Sequence, residues 1–258
     1  MKLEIERAVV RAIETMRENL GEPLTIDDMA RAAMYSKFHF SREFQRVTGI
    51  SPRRFLSALR LQEAKRLLVS TSLTVTEISH RVGYTSVGTF SSRFASCVCL
   101  PPTTYRQLGG FATMIPADSC RRATAAQCTT IRGDVQESAS SDLGLIFLGL
   151  FPSRIPQGRP VRCVILRRPG SFVLDEVPQG TWYLLAHSVP AYRHEVLTGD
   201  ADLSVGFTGP ISVRPNVSML RVDLQLRPIR VMDPPVLMAL LDVRKAVLED
   251  GLATAAVG

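Results

Sequence analysis

The sequence predicts two domains of different class, an all-α domain followed by a mostly-β sandwich domain. Three observations carry this prediction. Residues 1–108 hold 16 Lys and Arg against 10 Asp and Glu, whereas residues 109–258 hold 15 against 14, so the excess positive charge lies in the first part. That first part also contains an internal repeat with helical signals. The second part consists of short apolar runs separated by Pro and Gly, which is typical of a sandwich.

The composition excludes several classes of protein. The chain has 258 residues, of which 45% are hydrophobic and 21% charged, values that fit neither a disordered chain nor a coiled-coil rod. Its longest apolar run, Leu143–Phe151, is far shorter than the roughly 20 residues of a membrane helix. No signal-peptide pattern is predicted at the N-terminus, and the five cysteines are irregularly spaced. We therefore expect a cytoplasmic protein with no membrane partner.

Two stretches of the first part repeat one pattern. Leu24-Thr25 matches Leu73-Thr74, and Tyr35 matches Tyr84. After one extra residue in the second copy, five further pairs match at an offset of 50 residues: Ser36 and Ser86, Phe40 and Phe90, Phe44 and Phe94, Pro52 and Pro102, Phe55 and Tyr105. We expect two copies of one helix-turn-helix unit, at about 24–49 and 73–98.

Helix signals place the elements of this domain in order. An apolar stripe over residues 5–16 predicts an N-terminal helix. Thr25 with Asp28, and Thr74 with Glu77, have capping-box spacing, and they predict short helices at about Ile26–Ala33 and Val75–Val82. Second helices start after the N-caps Ser36 and Ser86, and Gly83 suits a left-handed turn. Ser51-Pro52 begins an uninterrupted linker helix over 52–69. About seven helices are expected in total.

The second part is predicted as a linker at 109–141 and a sandwich at 142–258. Seven strands are expected, at Leu143–Phe151, Val161–Leu166, Ser171–Leu174, Thr181–His187, Leu203–Phe207, Ile211–Val213 and Leu220–Leu226. After Asp233-Pro-Pro235, residues Val236–Glu249 are predicted to form a C-terminal helix. The segment QGRPVRCVILRRPGSFVLDEVPQGTWYLLA is similar to the carboxypeptidase-regulatory, or prealbumin-like, sandwich.

Three segments of the first domain carry a family resemblance. ISPRRFLSALRLQEAKRLL, TVTEISHRVGYTSVGTFSSRF and PPTTYR stand in this order. Together they resemble the DNA-binding domain of the AraC/XylS family of bacterial transcription regulators, over roughly residues 7–108. The resemblance implies two helix-turn-helix units on one rigid linker helix. Their two recognition helices are expected to enter major-groove segments spaced by about 34 Å, one turn of the duplex.

The resemblance also implies which residues contact DNA. On the first recognition helix the base-facing positions are Phe38, Ser41 and Arg42. Arg42 suits guanine O6 and N7, and Phe38 suits a thymine methyl. The second recognition helix offers small residues, namely Val87, Gly88, Ser91 and Ser92. Phosphates are expected to be held by Lys37, Arg93, Arg106 and the amides at helix N-termini.

The second copy departs from the family pattern at two positions. Cys99 stands where the first copy has Gly49, at a position expected to need a positive φ, which would cost about 1 kcal/mol. Ser92 stands where the family often has arginine. Both departures weaken the binding expected from the second unit.

No catalytic, cofactor or metal site is predicted. Cys97 and Cys99 lack two further ligands nearby, and His39 and His80 are interpreted as surface residues. The predicted function is therefore a non-enzymatic, sequence-specific DNA-binding transcription regulator. Its strand domain would sense a small-molecule effector or contact RNA polymerase. Two alternatives stay open: a regulator that also transfers alkyl groups in DNA repair, and a ligand- or protein-binding sandwich with degenerate DNA binding.

Overall fold

The computed structural model describes residues 2–112, 128–137, 143–190 and 203–241. Within these ranges a helical region is followed by a strand-rich region, which confirms the predicted order of fold classes. The seven helices are α1 (Lys2–Glu18), α2 (Ile26–Ala33), α3 (Lys37–Thr48), α4 (Pro52–Ser70), α5 (Val75–Arg81), α6 (Val87–Val98) and α7 (Pro102–Gln107).

The predicted capping residues begin the short helices. The Thr25 amide donates to Asp28 Oδ2 over 3.0 Å, and the Asp28 amide donates to Thr25 Oγ1 over 3.2 Å. Thr74 and Glu77 form the same reciprocal pair, at 2.7 and 3.2 Å. Each pair satisfies backbone donors that a helix start leaves free. Both capping boxes predicted from the sequence are confirmed.

An aromatic cluster in each repeat buries the inner face of its second helix. Phe40 and Phe44 lie 5.3 Å apart between ring centroids, and Phe44 meets Phe55 of α4 at 5.4 Å. The second copy repeats the arrangement, with Phe90 5.7 Å from Phe94 and Phe94 5.5 Å from Tyr105 of α7. All six rings are buried. The matched aromatic residues of the repeat therefore occupy equivalent places in the core.

Ten strands are formed by the described residues outside these helices. They are β1 (Phe111–Ala112), β2 (Cys128–Glu137), β3 (Leu143–Phe151), β4 (Cys163–Leu166), β5 (Gly170–Pro178), β6 (Gly180–Pro190), β7 (Ser204–Val213), β8 (Met219–Arg221), β9 (Leu224–Pro228) and β10 (Leu240–Leu241). Eight of them form one sheet in the order β4-β3-β6-β7-β9-β2-β5, with β8 beside β2. The remaining two, β1 and β10, pair in parallel.

The eight-stranded sheet is barrel-like. Strand β9 joins its two halves, because Leu224–Leu226 pair with β2 whereas Arg227 and Pro228 pair with β7. The two end strands, β4 and β5, also lie against each other. Arg162, just before β4, donates from Nε to the Asp175 carbonyl of β5 over 3.0 Å. A closed apolar core results, with inward side chains from both halves such as Ile131, Leu148, Leu184 and Leu226.

Two predictions for the strand region were wrong in detail. The segment 109–141, predicted as a linker, contains strand β2, whose inward positions include Thr129 and Gly133 and therefore give little apolar alternation. The strands predicted at Leu203–Phe207 and Ile211–Val213 are one strand, β7. The register of β6 against β7 shifts between Trp182 and Leu184, so that Gly209-Pro210 sits opposite an irregularity. Proline is tolerated at such a site because it has no N–H to donate.

The helix predicted to start at Val236 was also wrong over the described residues. Residues 236–239 form neither helix nor strand and are buried, and Leu240–Leu241 form β10; residues 242–249 lie outside the described ranges. The amides of Leu237 and Met238 donate to the Pro156 carbonyl, and that of Ala239 donates to Val98 O at the end of α6. These partners are distant in sequence, so the local apolar pattern could not reveal them.

The strand domain packs directly on the helical domain. Ile155, Leu237 and Ala239 belong to the same buried cluster as the helical core. Lys65 of α4 donates from Nζ to the carbonyls of Val236 (2.9 Å) and Met238 (3.1 Å). Three residues of the strand domain therefore extend the apolar core of the helical domain, while the sheet keeps a core of its own, and hydrogen bonds also join the two domains.

Candidate nucleic-acid interface

The outer face of α3 presents the residues predicted to contact bases. Ser36 caps the helix, since the His39 amide donates to its Oγ over 3.5 Å. Phe40 and Phe44 occupy the opposite, buried face, and this fixes the rotation of the helix. Phe38 is consequently 80% exposed, and the Arg42 side chain is 75% exposed. An exposed phenylalanine beside an exposed arginine is the combination that suits the edges of bases.

Charge on α3 is arranged so that Arg42 keeps its guanidinium largely free. Glu43 accepts a hydrogen bond from Arg46 Nε over 2.8 Å, and Arg46 Nη2 lies 2.7 Å from the same carboxylate oxygen, whereas Arg42 Nε is 3.7 Å from the carboxylate. The Arg46 contact is the main reason that the pKa of Glu43 lies below its ordinary value. Lys37 Nζ is 3.8 Å from Asp27 Oδ1, an exposed pair of little energetic weight. Ser41 Oγ donates to the Lys37 carbonyl over 2.7 Å, so its lone pairs remain available.

The second recognition helix, α6, presents smaller side chains on its outer face than α3 does. The Thr89 amide donates to Ser86 Oγ over 3.4 Å and caps the helix. Val87, Gly88, Ser92 and Arg93 are exposed, and Ser91 is half-buried. An open depression on this face is lined by Gly88, Thr89, Ser92, Arg93 and Ser96. The structure thus brings three of the predicted residues of α6, Gly88, Ser92 and Arg93, to one depression, whereas Val87 and Ser91 do not line it.

Arg60 of the linker helix ties the two units together, a role that the sequence analysis missed. Its Nη2 donates to the Glu22 carbonyl before α2 (2.6 Å), and its Nη1 donates to Gly83 O in the turn of the second unit (3.2 Å). Burial lowers the pKa of Arg60 from its ordinary value. The sequence signal for this role was an arginine flanked by Leu59 and Leu61, two leucines that the helix buries.

Arg106, predicted to contact a phosphate, is held by backbone carbonyls of its own domain. Its Nε donates to the Leu68 carbonyl over 2.8 Å, and its Nη2 donates to the Leu73 carbonyl. These carbonyls lie near the end of α4 and the start of the second unit, where the last turn of a helix leaves acceptors free. Arg106 therefore stabilises that junction, and its contact with a phosphate stays a prediction.

Both recognition helices end at a residue whose backbone adopts the left-handed conformation. Gly49 has φ +81° and Cys99 has φ +69°, and the amide of each donates to the carbonyl four residues before it. The expected positive φ at Cys99 is confirmed. Gly83 also has a positive φ, as predicted for the turn of the second unit.

The described residues contain no group of three or more His, Cys, Asp or Glu side chains able to hold a metal ion. Among the same residues no helix has the length and apolar character needed to cross a bilayer.

Two capped units on one linker helix, each with an exposed second helix, define the class of double helix-turn-helix proteins. Residues 29–108 match the family model described as a helix-turn-helix domain. The HTH-type transcriptional regulator YobQ of Bacillus subtilis is 31% identical over 106 residues, covering 41% of this chain and 44% of YobQ. The lactose operon transcription activator of Staphylococcus xylosus is 26% identical, covering 40% of this chain and 37% of the activator.

A shorter relative is matched over most of its length. The transposon Tn10 TetD protein of Escherichia coli is 34% identical over 92 residues, which cover 36% of this chain and 67% of TetD. Among solved structures, an AraC-type regulator from Chromobacterium violaceum is 29% identical, with 40% of this chain and 93% of that chain covered and a TM-score of 0.39. This chain belongs to the AraC/XylS family of helix-turn-helix transcription regulators.

The matches define the helical domain alone. The family model ends at residue 108, and the chain covers less than half the length of YobQ and of the lactose operon activator. The resemblance of the strand domain to carboxypeptidase-regulatory sandwiches therefore stays a prediction.

Proposed function

We propose that the chain is a sequence-specific DNA-binding regulator of transcription that acts without enzymatic chemistry. The observation that carries this proposal is the pair of N-capped helices, α3 and α6, whose inner faces are fixed by equivalent aromatic clusters and whose outer faces are exposed. A helix held in this way fits the major groove of B-DNA, where each base pair presents a distinct pattern of donors and acceptors.

The two helices would contribute differently to recognition. On α3, Phe38, Ser41 and Arg42 would read base edges, and Lys37 would contact a phosphate. On α6, Val87, Gly88, Ser91 and Ser92 offer methyl, backbone and hydroxyl contacts, which discriminate bases less sharply than a bidentate arginine. Arg93 would anchor that half to the backbone. The first half of the site would therefore be more sharply specified than the second.

The partner of the proposed interface is duplex DNA at the nucleoid, with RNA polymerase as the partner of the assembled complex. The surplus positive charge of residues 1–108 supports a polyanionic partner, since each neutralised phosphate releases counterions. Alkyl transfer to a cysteine is less well supported. Burial raises the pKa of Cys99 and of Cys163, and a protonated thiol is a poor nucleophile.

Genome-wide footprinting of the tagged chain, followed by titration of the purified chain, tests the proposal. We expect the recovered site to be bound at least about 10³-fold more tightly than a random duplex of equal length. Affinity should fall linearly in a plot of log K against log salt. Equal affinity for both duplexes would favour the alternative of a binding module with degenerate DNA contacts. Transfer of a labelled methyl group from alkylated DNA to the chain would favour the repair alternative.

A further inference from the structure

A small apolar cleft lies where the strand domain faces the helical domain. It is formed by β6, β7, the loop after β3 and the segment before β10, and its walls include Pro156, Leu185, Val205, Phe207, Val236 and Arg154. Its volume is about 40 Å³. One water molecule requires roughly 10–15 Å³ on this scale. The cleft therefore holds the equivalent of about three waters, which corresponds to one ring or one short branched chain.

Arg154 is the cation at this cleft; burial lowers its pKa, and the nearby Asp233 carboxylate acts on it only through space, in the direction that raises its pKa. The guanidinium carbon of Arg154 lies 4.0 Å from the centroid of the Phe207 ring. Among the residues that the structure describes, Arg154 has no hydrogen-bond acceptor and no ion pair. Asp233 also lines the cleft, but Arg227 already binds both of its carboxylate oxygens, at 2.6 and 2.7 Å. A half-buried cation on an aromatic ring leaves several N–H donors free for a ligand.

The loop that carries Arg154 and Pro156, and the segment after Val236, reach the ends of both recognition helices. Arg154 packs beside Gly49, the C-cap of α3, so closely that a Cβ atom at Gly49 would lie 2.4 Å from its side chain. Further along the same loop, the Gly158 amide donates to Cys97 O of α6 over 2.7 Å. The Ala239 amide donates to Val98 O over 3.3 Å. A ligand that moved Arg154 or this loop would therefore act on α3 and α6 together.

We propose that this cleft binds a small apolar carboxylate, with the carboxylate on the Arg154 guanidinium and the hydrocarbon part among the apolar walls. Charge-assisted, bidentate pairing is the contact that a guanidinium fork makes best with a carboxylate. Occupancy of the cleft changes the affinity of the chain for DNA. This last step rests on the proposed function, whereas ligand binding does not.

Calorimetric titration of the full chain with phenylacetate and isovalerate tests the binding step, with phenylacetamide and isovaleramide as uncharged controls of matched shape. We expect saturable binding of at least one acid and at least tenfold weaker binding of its amide. Arg154→Gln should abolish the preference for the acid. Val205→Phe should block the cleft while keeping the charge. Arg168→Gln, an exposed arginine in the turn between β4 and β5, is the control that should leave binding unchanged.

The outcomes separate the cleft from the DNA function. Binding of an acid that requires Arg154, in a chain that binds no specific DNA, would support the cleft and refute the proposed function. Specific DNA binding without Arg154-dependent binding of either acid would overturn the cleft. If both hold, the acid should shift DNA affinity by about fivefold or more, and DNA should shift affinity for the acid by the same factor. A shift smaller than twofold would refute the coupling step.

Discussion

Arg42 is the residue on which sequence discrimination by α3 is expected to depend most. We expect Arg42→Ala to weaken binding to the cognate site by about 1–3 kcal/mol while relaxing the preference at one base pair. Arg46→Ala removes the same charge from the same helix, but Arg46 is already held by Glu43. As the control, Arg46→Ala should therefore weaken binding to cognate and random duplexes by a similar factor. If Arg42→Ala also weakened binding to both duplexes equally, the proposed contact between Arg42 and a base would be refuted.

His187 should make the strand domain sensitive to acid. It is fully buried, and burial together with the nearby Lys65 ammonium lowers its pKa from 6.5 to about 3. The folded chain therefore holds it neutral, whereas the unfolded chain protonates it below about pH 6.5, so stability falls as the pH falls through this window. Each pKa unit corresponds to about 1.4 kcal/mol. Between pH 7 and pH 5 the loss attributable to His187 should be about 2 kcal/mol.

Urea unfolding of His187→Leu at the two pH values measures this contribution. We expect the stability difference between pH 7 and pH 5 to shrink by about 2 kcal/mol relative to the parent chain. His80→Leu, at an exposed position on α5, serves as the control and should leave the difference unchanged. An equal pH dependence of the parent chain and the His187 variant would rule out a neutral, buried imidazole.

Among the elements, α3 and α6 differ most clearly in how they end. Gly49 adopts its left-handed conformation without steric cost, whereas Cys99 carries a Cβ into the same region. We expect Cys99→Gly to stabilise the chain by about 1 kcal/mol, because the helix keeps its terminal hydrogen bond and loses the strain. Differential scanning calorimetry measures the effect as a change in melting temperature. Cys163→Gly in β4 is the matched control and should instead destabilise the chain. An unchanged or lower melting temperature for Cys99→Gly would contradict the assignment of strain.

Elements were predictable where their determinants are local. Thr25, Thr74, Ser36 and Ser86 act within three residues of their own positions, so the starts of α2, α3, α5 and α6 could be inferred from the sequence. The equivalence of Phe55 and Tyr105 followed from the repeat in the same way. Strand β2 and the segment at 236–241 depend on partners tens of residues away. Arg60 and Arg154 escaped notice for the same reason, since their significance lies in which distant backbone or ring they meet.

At the scale of the whole molecule, the shared core should make the two domains unfold together. Leu237 is completely buried and belongs to the apolar cluster of the helical domain. We expect Leu237→Ala to cost about 2–5 kcal/mol and to raise amide hydrogen exchange in α4 and α6 as well as in the strands. Leu226→Ala creates a comparable cavity inside the barrel-like sheet alone and serves as the control. Unchanged exchange in α4 and α6 for the Leu237 variant would show that the cores are separate.

The placement of Leu237, Ala239 and Ile155 in the helical core has a consequence for attempts to transplant either domain. A chimera that joined residues 1–112 to an unrelated partner would leave an apolar hollow on the surface where these three side chains pack. Exposed apolar surface of that kind promotes aggregation. A successful graft would have to carry residues 155 and 237–239, or replace neighbouring apolar residues with polar ones. The helical domain is built from a duplicated unit, yet part of its core comes from the strand domain. We therefore expect that neither domain can be replaced without redesigning the surface of the other.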